Sequence, residues 1–150
     1  MIYIGADHRG YELKEEIKKF LYELDYQYED MGAFEYDKND DYPDFATAVA
    51  NAVALSLSKG ADSKGIVICG SGIGIAVAAN KVKGVRAGTA YNPDQIQAAV
   101  NDEHLNVLAL SSDFSSEEVA KEIVKAFLDT PLGQDERYLR RLKKIEKLEK

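Results

Sequence analysis

The sequence contains one cysteine, no tryptophan and three prolines, and it has no long apolar run. A single cysteine excludes an internal disulfide and therefore the class of small folds that disulfides hold together. No apolar stretch approaches the roughly 20 residues that a membrane-spanning helix needs. The N-terminus shows no basic segment followed by an apolar one, so we expect no signal peptide, no membrane contact and a cytoplasmic protein.

Basic residues are fewer than acidic ones. Lysine and arginine number 19 against 26 acidic residues, and the formal net charge is −7, which disfavours general nucleic-acid binding. The basic residues are concentrated at the end of the chain, where residues 137–150 hold seven of them against two glutamates. This segment predicts either local anion binding or docking on an acidic surface of a partner subunit. A solvated helix end is the alternative.

The chain has enough apolar material for one core. It has 150 residues, of which 45% are hydrophobic and 30% charged, and this balance excludes disordered and fibrous proteins. We find no internal repeat, low-complexity tract or linker. Residues 1–150 are therefore expected to form a single domain.

Strand-like and helix-like patterns alternate along the chain. Strands are predicted over residues 2–5, 27–30, 65–69, 85–90 and 107–110, with helices between them and a basic helix within residues 134–150. Asn92 before Pro93 predicts a helix N-cap, and Ser115 with Glu118 fits a capping box. The alternation predicts a three-layer α/β/α Rossmann-like domain with a five-stranded parallel sheet and an extra C-terminal helix.

A glycine-rich loop follows the third predicted strand, over residues 70–74 (GSGIG). Parallel sheets bind ligands beyond the carboxyl ends of their strands, where this loop lies. Its alternate glycines let backbone N–H groups point into one concavity before a helix, which suits a phosphate or a developing oxyanion. A tight strand–helix turn is the alternative. The loop lacks the third glycine of a dinucleotide fingerprint and the Gly-Lys-Ser/Thr of a P-loop.

Three side chains beside these loops are candidates for chemistry. Cys69 ends the third strand, so its thiolate could act as a base or nucleophile, or the residue could be a small buried apolar group. Asp7 and His8 follow the first strand. An imidazole there could hold a phosphate or move a proton, and Asp7 could accept sugar hydroxyls or orient His8. An exposed loop histidine is the alternative.

Two arginines and a tyrosine complete the candidates. Arg137 and Arg141 are four residues apart, so they share a face of the terminal helix and could clamp one phosphate. Tyr42 precedes Pro43 in an acidic loop, where packing is its simplest explanation.

Four segments together resemble the type B ribose-5-phosphate isomerases, whose wider family includes galactose-6-phosphate isomerase subunits. They are residues 4–14 (IGADHRGYELK), 41–44 (DYPD), 68–74 (ICGSGIG) and 78–81 (AANK). The resemblance covers nearly the whole chain. It implies an aldose–ketose isomerase without metal or cofactor that interconverts ribose 5-phosphate and ribulose 5-phosphate. It also implies a homodimer or a dimer of dimers, with the active site between subunits and the terminal helix, residues 134–150, crossing to the partner.

The resemblance assigns roles by position. Cys69 would be the base that moves a proton between C1 and C2 through a cis-enediolate, whose charge the loop amides and the Ser71 hydroxyl would stabilise. The loop glycines concerned are Gly70, Gly72 and Gly74. Sugar contacts would come from Asp7 and Tyr42, and phosphate contacts from His8, Arg137 and Arg141.

The sequence departs from the family pattern before the fifth strand. Relatives usually carry His-Asn-Asp-x-Asn there, and that histidine assists opening of the furanose ring. Ungapped positions place Asp102 at the histidine, Glu103 at the asparagine beside the anion hole, and His104 two places later. Either Asp102 does the acid–base work, or His104 reaches in after a local shift, or ring opening is unassisted. Asp113 also stands where relatives often have arginine.

These departures leave two further hypotheses open. One is an isomerase for a hexose phosphate such as allose or galactose 6-phosphate. The other is a dimer that binds sugar phosphates without catalysis.

Overall fold

Strands and helices alternate throughout the computed structural model, which describes residues 1–149. The elements are β1 (Ile2–Ala6), α1 (Tyr11–Glu23), β2 (Tyr28–Asp30), α2 (Tyr42–Ser58), β3 (Lys64–Cys69), α3 (Ile73–Ala79), β4 (Ala87–Thr89), α4 (Pro93–Glu103), β5 (Val107–Ser111), α5 (Glu117–Asp129) and α6 (Glu136–Glu146). Among these helices, none combines the length and the apolar character needed to span a bilayer.

The five strands form one parallel sheet in the order β2-β1-β3-β5-β4. The central strand β3 pairs with β1 and β5 and is buried on both faces, which explains its unbroken apolar sequence. Successive side chains alternate between the two faces: Ile66 and Ile68 pack in the core under α1, α4 and α5, whereas Val67 packs under α2 and α3. The predicted α/β/α architecture is confirmed.

Four of the five strands lie within one residue of their predicted bounds. The exception is the edge strand β4, which covers only Ala87–Thr89 and not residues 85–90. Ser115 does not cap α5, because the next residue, Ser116, is the one in extended backbone geometry and accepts the Val119 N–H at 3.2 Å. The predicted N-cap at Asn92 is confirmed by its bond from the Gln95 N–H at 2.9 Å.

The C-terminal helix α6 is shorter than the predicted basic segment. Asp135 starts it by accepting the Arg137 N–H at 2.9 Å, and its backbone ends near Glu146. Leu142 is buried within this chain, whereas Arg137 and Arg141 are exposed. The helix therefore packs on the rest of the chain through Leu142 and presents Arg137 and Arg141 outward.

The direction of the strands places the functional loops. The carboxyl ends of β1, β3 and β5 meet at one edge of the sheet, at Ala6, Cys69 and Ser111. Helix α4 runs back toward the opposite edge, because β5 begins only a few residues after it ends. Residues on the loop after Cys69 and residues at the end of α4 consequently lie at opposite edges.

Candidate active site

Cys69 lies at the carboxyl end of β3 and is 4% exposed. The chain turns back around its sulfur, so that the Gly72 N–H donates to Sγ at 3.2 Å. Gly72 has φ of +74°, a left-handed conformation that glycine adopts without a steric cost. The glycine loop therefore directs a backbone donor at the only thiol of the protein.

The orientation of the Gly70–Ser71 peptide is fixed by hydrogen bonds from the end of β5 and the loop that follows it. The Gly70 carbonyl accepts the Asp113 N–H at 3.0 Å and the Ser111 hydroxyl at 2.7 Å. The Ser71 N–H belongs to the same trans peptide plane and points the opposite way. No acceptor among residues 1–149 bonds this N–H, which is left for a ligand. The Ser71 hydroxyl accepts the Ile73 N–H at 3.1 Å and keeps its own proton to donate.

Asp7 lies just beyond β1 and is 4% exposed. One carboxylate oxygen accepts the backbone N–H groups of Arg9 and Gly10, each at 3.0 Å. Burial raises the pKa of Asp7 above its ordinary value, although the Gly10 N–H acts in the opposite direction. The second oxygen remains able to accept a sugar hydroxyl.

Tyr42 reaches the same place from α2. It is the first residue of that helix because Asp41 is extended and Pro43 suits the first turn. Its ring packs on the glycine loop: a Cβ at Gly74 would lie 2.8 Å from the ring. Gly74 therefore provides the close approach between tyrosine and loop.

These groups surround a cleft of about 280 Å³. It is lined by Asp7, Arg9, Tyr42, Cys69, Gly70, Ser71, Gly74, Asp113 and Phe114. The structure thus brings together the predicted base, the loop hydroxyl and the two predicted sugar contacts. A larger groove of about 680 Å³ lies along the end of α6 and contains Glu103 but not Cys69.

His8 lies beside this cleft and is held by Asp40. Its Nδ1 is 2.7 Å from Asp40 Oδ1, and the same oxygen accepts the His8 backbone N–H at 2.9 Å. Ligand atoms of Asp7, His8 and Asp40 lie within 4.8 Å of one another, as a metal site would require. His8 Nδ1 and Asp40 Oδ1 are bonded to each other and not to a common ligand, and we assign no metal to the cluster.

The remaining predicted residues lie at the opposite edge of the sheet. β5 joins the two edges and spans about 13 Å over its five residues. Asp102 and Glu103 precede its start at the end of α4. Gly133 is tied to the same corner, because its N–H donates to the Asn101 carbonyl at 3.0 Å. One chain therefore does not bring these residues, or the helix α6 that follows, to Cys69.

The three candidates for the ring-opening region, Asp102, Glu103 and His104, make different contacts at this end of the sheet. The Asp102 carboxylate accepts the Asn101 side-chain amide at 2.7 Å, and Glu103 is exposed. His104 has φ of +48° and donates from Nε2 to the Gly133 carbonyl at 2.7 Å. The imidazole is therefore a link between α4 and the chain that leads into α6.

The comparison with known proteins decides the relationship. The sequence matches the Ribose/Galactose Isomerase family over residues 2–145. The chain belongs to this family. It is 40% identical over 149 residues to the probable ribose-5-phosphate isomerase B of Mycoplasma genitalium, covering 99% of this chain and 95% of the relative. It is 38% identical over 141 residues to ribose-5-phosphate isomerase B of Mycolicibacterium paratuberculosis, covering 94% and 86%.

Solved structures agree with this membership of the ribose/galactose isomerase family. The crystal structure of the Mycoplasma genitalium enzyme with bound ribulose-5-phosphate has a TM-score of 0.92 at 38% identity, covering 99% of this chain and 95% of that one. The ribose-5-phosphate isomerase B of Clostridium thermocellum has a TM-score of 0.90 at 40% identity, covering 99% and 96%. The resemblance expected from the sequence is confirmed.

Sequence reasoning missed two contacts in this ribose/galactose isomerase family member. Arg9 and Asp113 form an ion pair across the glycine loop, and both line the cleft. Asp40, in the loop before α2, holds His8. Arg9 stands next to His8 in the sequence, but its partner is 104 positions away and no local pattern connects the two.

Proposed function

We propose that this protein is an aldose–ketose isomerase that interconverts ribose 5-phosphate and ribulose 5-phosphate. The observation that carries the proposal is the buried Cys69 sulfur in a cleft that Asp7, Tyr42 and Ser71 also line. The relatives named above support the pentose phosphate as substrate. Since a charged sugar phosphate does not cross a bilayer unaided, we infer that the reaction takes place in the cytoplasm.

In the proposed mechanism the Cys69 thiolate removes the proton from C2 of the open-chain aldose. The electron pair forms the C1–C2 double bond, and negative charge develops on the carbonyl oxygen O1. The Ser71 N–H and hydroxyl stabilise that charge together with the amides of Gly70 and Gly74, whereas the Gly72 N–H donates to the Cys69 sulfur. One donor to the developing charge is typically worth about 10²–10³ in kcat. The proton on the C2 hydroxyl passes to O1, and the Cys69 thiol returns its proton to C1, which gives the ketose. Asp7 and Tyr42 hold the sugar hydroxyls.

A second copy of the chain completes the proposed site. Within one chain, the residues at the end of α4 and on α6 are separated from Cys69 by the length of β5. Helix α3 follows the glycine loop and exposes Ile73 and Val77, four residues apart, at 48% and 57%. Such an apolar face beside the cleft suits an isologous contact with a second copy. We therefore infer a homodimer or a dimer of dimers, with α6 docking beside the partner's cleft.

Each residue of the second copy has a proposed task. The exposed Arg137 and Arg141 clamp the phosphate with bidentate hydrogen bonds, opposite His8 of the first copy. Asp102 is the acid–base group for ring opening, because the Nε2 of His104 is committed to the Gly133 carbonyl. Glu103 is exposed and free to turn away from the enediolate charge.

Proton NMR of ribose 5-phosphate in D2O tests the proposed function. Wild-type protein should produce ribulose 5-phosphate and exchange the C2 hydrogen for deuterium. Cys69→Ala should slow both processes by at least about 10³-fold, because it removes the base, while circular dichroism and the melting temperature show a folded protein.

Three outcomes would contradict the proposal. Unchanged exchange in the Cys69→Ala variant would exclude the thiolate as the base. A higher kcat/KM for allose 6-phosphate or galactose 6-phosphate would exclude the pentose assignment. Thermal stabilisation by ribose 5-phosphate without any turnover would indicate a binding protein instead.

A further inference from the structure

We propose that Asp40 is a positioning residue that fixes the orientation of the His8 imidazole and thereby sets the affinity of the site for the phosphate group. The inference rests on the proposed function, which places His8 at the phosphate. Nothing in the local sequence joins these two residues, which are 32 positions apart.

The contact between the two residues is specific. Asp40 Oδ1 accepts the His8 backbone N–H at 2.9 Å and lies 2.7 Å from Nδ1 of the ring. A carboxylate can only accept, so Nδ1 carries the hydrogen of this bond. The ring and its own backbone are thus held by one oxygen, and a ring flip would break the bond to Nδ1.

The position of Asp40 is costly for a purely structural residue. Its side chain is 11% exposed, and Oδ2 is buried without a hydrogen-bond partner among residues 1–149. Burying an unpaired carboxylate oxygen is unfavourable, so a site selected only for stability would favour an apolar side chain or a second donor. Both hydrogen bonds that the Asp40 side chain makes within residues 1–149 are to His8.

An aromatic ring also packs beside the imidazole. The Tyr36 ring, from the same loop as Asp40, stands edge-on with its centroid 6.3 Å from that of His8, and it contacts Tyr11 at 6.4 Å. Asp7 and Arg9 flank His8 along the chain. With Nδ1 bonded to Asp40, Nε2 is the ring nitrogen left to meet a ligand such as a phosphate.

The kinetic consequence follows from the place of the phosphate in the substrate. The phosphate is on C5, whereas bonds change at C1 and C2, so the His8 contact contributes equally to ground-state and transition-state binding. Loss of such uniform binding raises KM and leaves kcat unchanged. Asp40→Ala should raise KM about tenfold or more, the value of one hydrogen bond to a charged group, with kcat within about twofold of wild type.

Nitrogen-15 NMR gives a readout that stability alone would not move. The protein has two histidines, so the His8 ring signals are assigned by their loss in His8→Gln. In wild type the Nδ1 shift should be that of a protonated nitrogen, and in Asp40→Ala it should move to that of a tautomer mixture. The matched control is Asp37→Ala, which removes an exposed carboxylate from the same loop whose bond is to Asn39; it should change neither the shift nor KM.

A double mutant separates positioning from general damage. In the His8→Gln background, Asp40→Ala should have no further effect on KM. An equal effect of Asp40→Ala with and without His8 would overturn the proposal, as would an unchanged Nδ1 shift or an unchanged KM in the single variant.

A phosphate titration keeps the inference separate from the proposed function. Inorganic phosphate should shift the His8 Nε2 signal, and Asp40→Ala should weaken this binding about tenfold. If wild type lacked isomerase activity but the titration gave this result, the proposed function would fail and the positioning role would stand. If activity were present and phosphate left Nε2 unmoved, the isomerase would stand and the positioning role would fail.

Discussion

Mixing two inactive variants would show whether the halves of the site come from different chains. Cys69 lies at one edge of the sheet, and Asp102 and the start of α6 lie at the other. β5 alone separates the edges by about 13 Å. In the homodimer that we propose, Cys69 would come from one copy and Arg141 from the other.

The expected recovery can be calculated. One variant is Cys69→Ala, and the other carries both Arg137→Ala and Arg141→Ala. In a mixed dimer, one site combines both defects, whereas the other combines intact Cys69 with intact arginines. Random reassociation of equal amounts makes half of the dimers mixed, so about a quarter of all sites should be intact by symmetry.

The assay compares refolded mixtures at a substrate concentration below KM. Each variant is unfolded in urea, diluted alone or with the other, and assayed for ketose formation. A matched mixture of Cys69→Ala with Ser71→Ala provides the control, because both changes lie on the same half and no combination of these chains gives an intact site. It should show no recovery.

Recovery no greater than the mean of the two variants measured alone would refute the shared site, provided that exchange of subunits is verified by a mass tag. Recovery in the control mixture would refute it as well, since this result requires Cys69 and Ser71 of one site to come from different chains.

Two further predictions concern stability. Lys14 is fully buried, donates to Asp30 Oδ1 at 2.8 Å and also donates to the Ala33 carbonyl. Because Lys14→Met leaves the Asp30 carboxylate without this partner, it should lower the free energy of unfolding, measured in urea, by about 3 kcal/mol. Lys18→Met, which removes the partly exposed second partner of Asp30, should cost about 1 kcal/mol or less; equal losses would contradict the argument. Burial raises the pKa of Asp7 in the folded protein. The contribution of this carboxyl group to the free energy of unfolding is therefore complete below its pKa in the unfolded chain, and it is lost as the pH rises through its pKa in the folded protein. Asp7→Asn should therefore gain stability relative to wild type as pH rises from 3.5 to 7 in thermal unfolding, and a constant difference would refute this.

Much of the fold and one half of the site follow from local patterns. The buried run of β3 and the glycines after Cys69 identify a central strand and its loop, and parallel strands bring Asp7 to the same edge. The ends of the helices and strands were predicted less accurately from these patterns. Ser115 and Ser116 both satisfy the preference for a helix N-cap, and only the backbone geometry selects Ser116.

The contacts that escaped prediction are long-range pairs of charged or polar residues. Arg9 with Asp113, and His8 with Asp40, join loops that are adjacent only after the sheet has formed. The separation of Asp102 from Cys69 is likewise a property of strand direction and not of residue type. Composition and spacing carry no information on such distances, so the sequence identified Cys69 and Asp102 as candidates without showing that they lie at opposite ends of the sheet.

The double hydrogen bonds on the Gly70 carbonyl have a consequence for the conformational population of the loop. Glycine-rich peptides rotate readily, and a rotation of the Gly70–Ser71 peptide would turn the Ser71 N–H away from a ligand. Here it would break the bonds from Ser111 and Asp113, which together stabilise the observed orientation by about 2 kcal/mol. Only a few per cent of molecules would then hold the rotated peptide at 25 °C. The loop is therefore already ordered before an anion binds, so ordering it on binding costs little free energy.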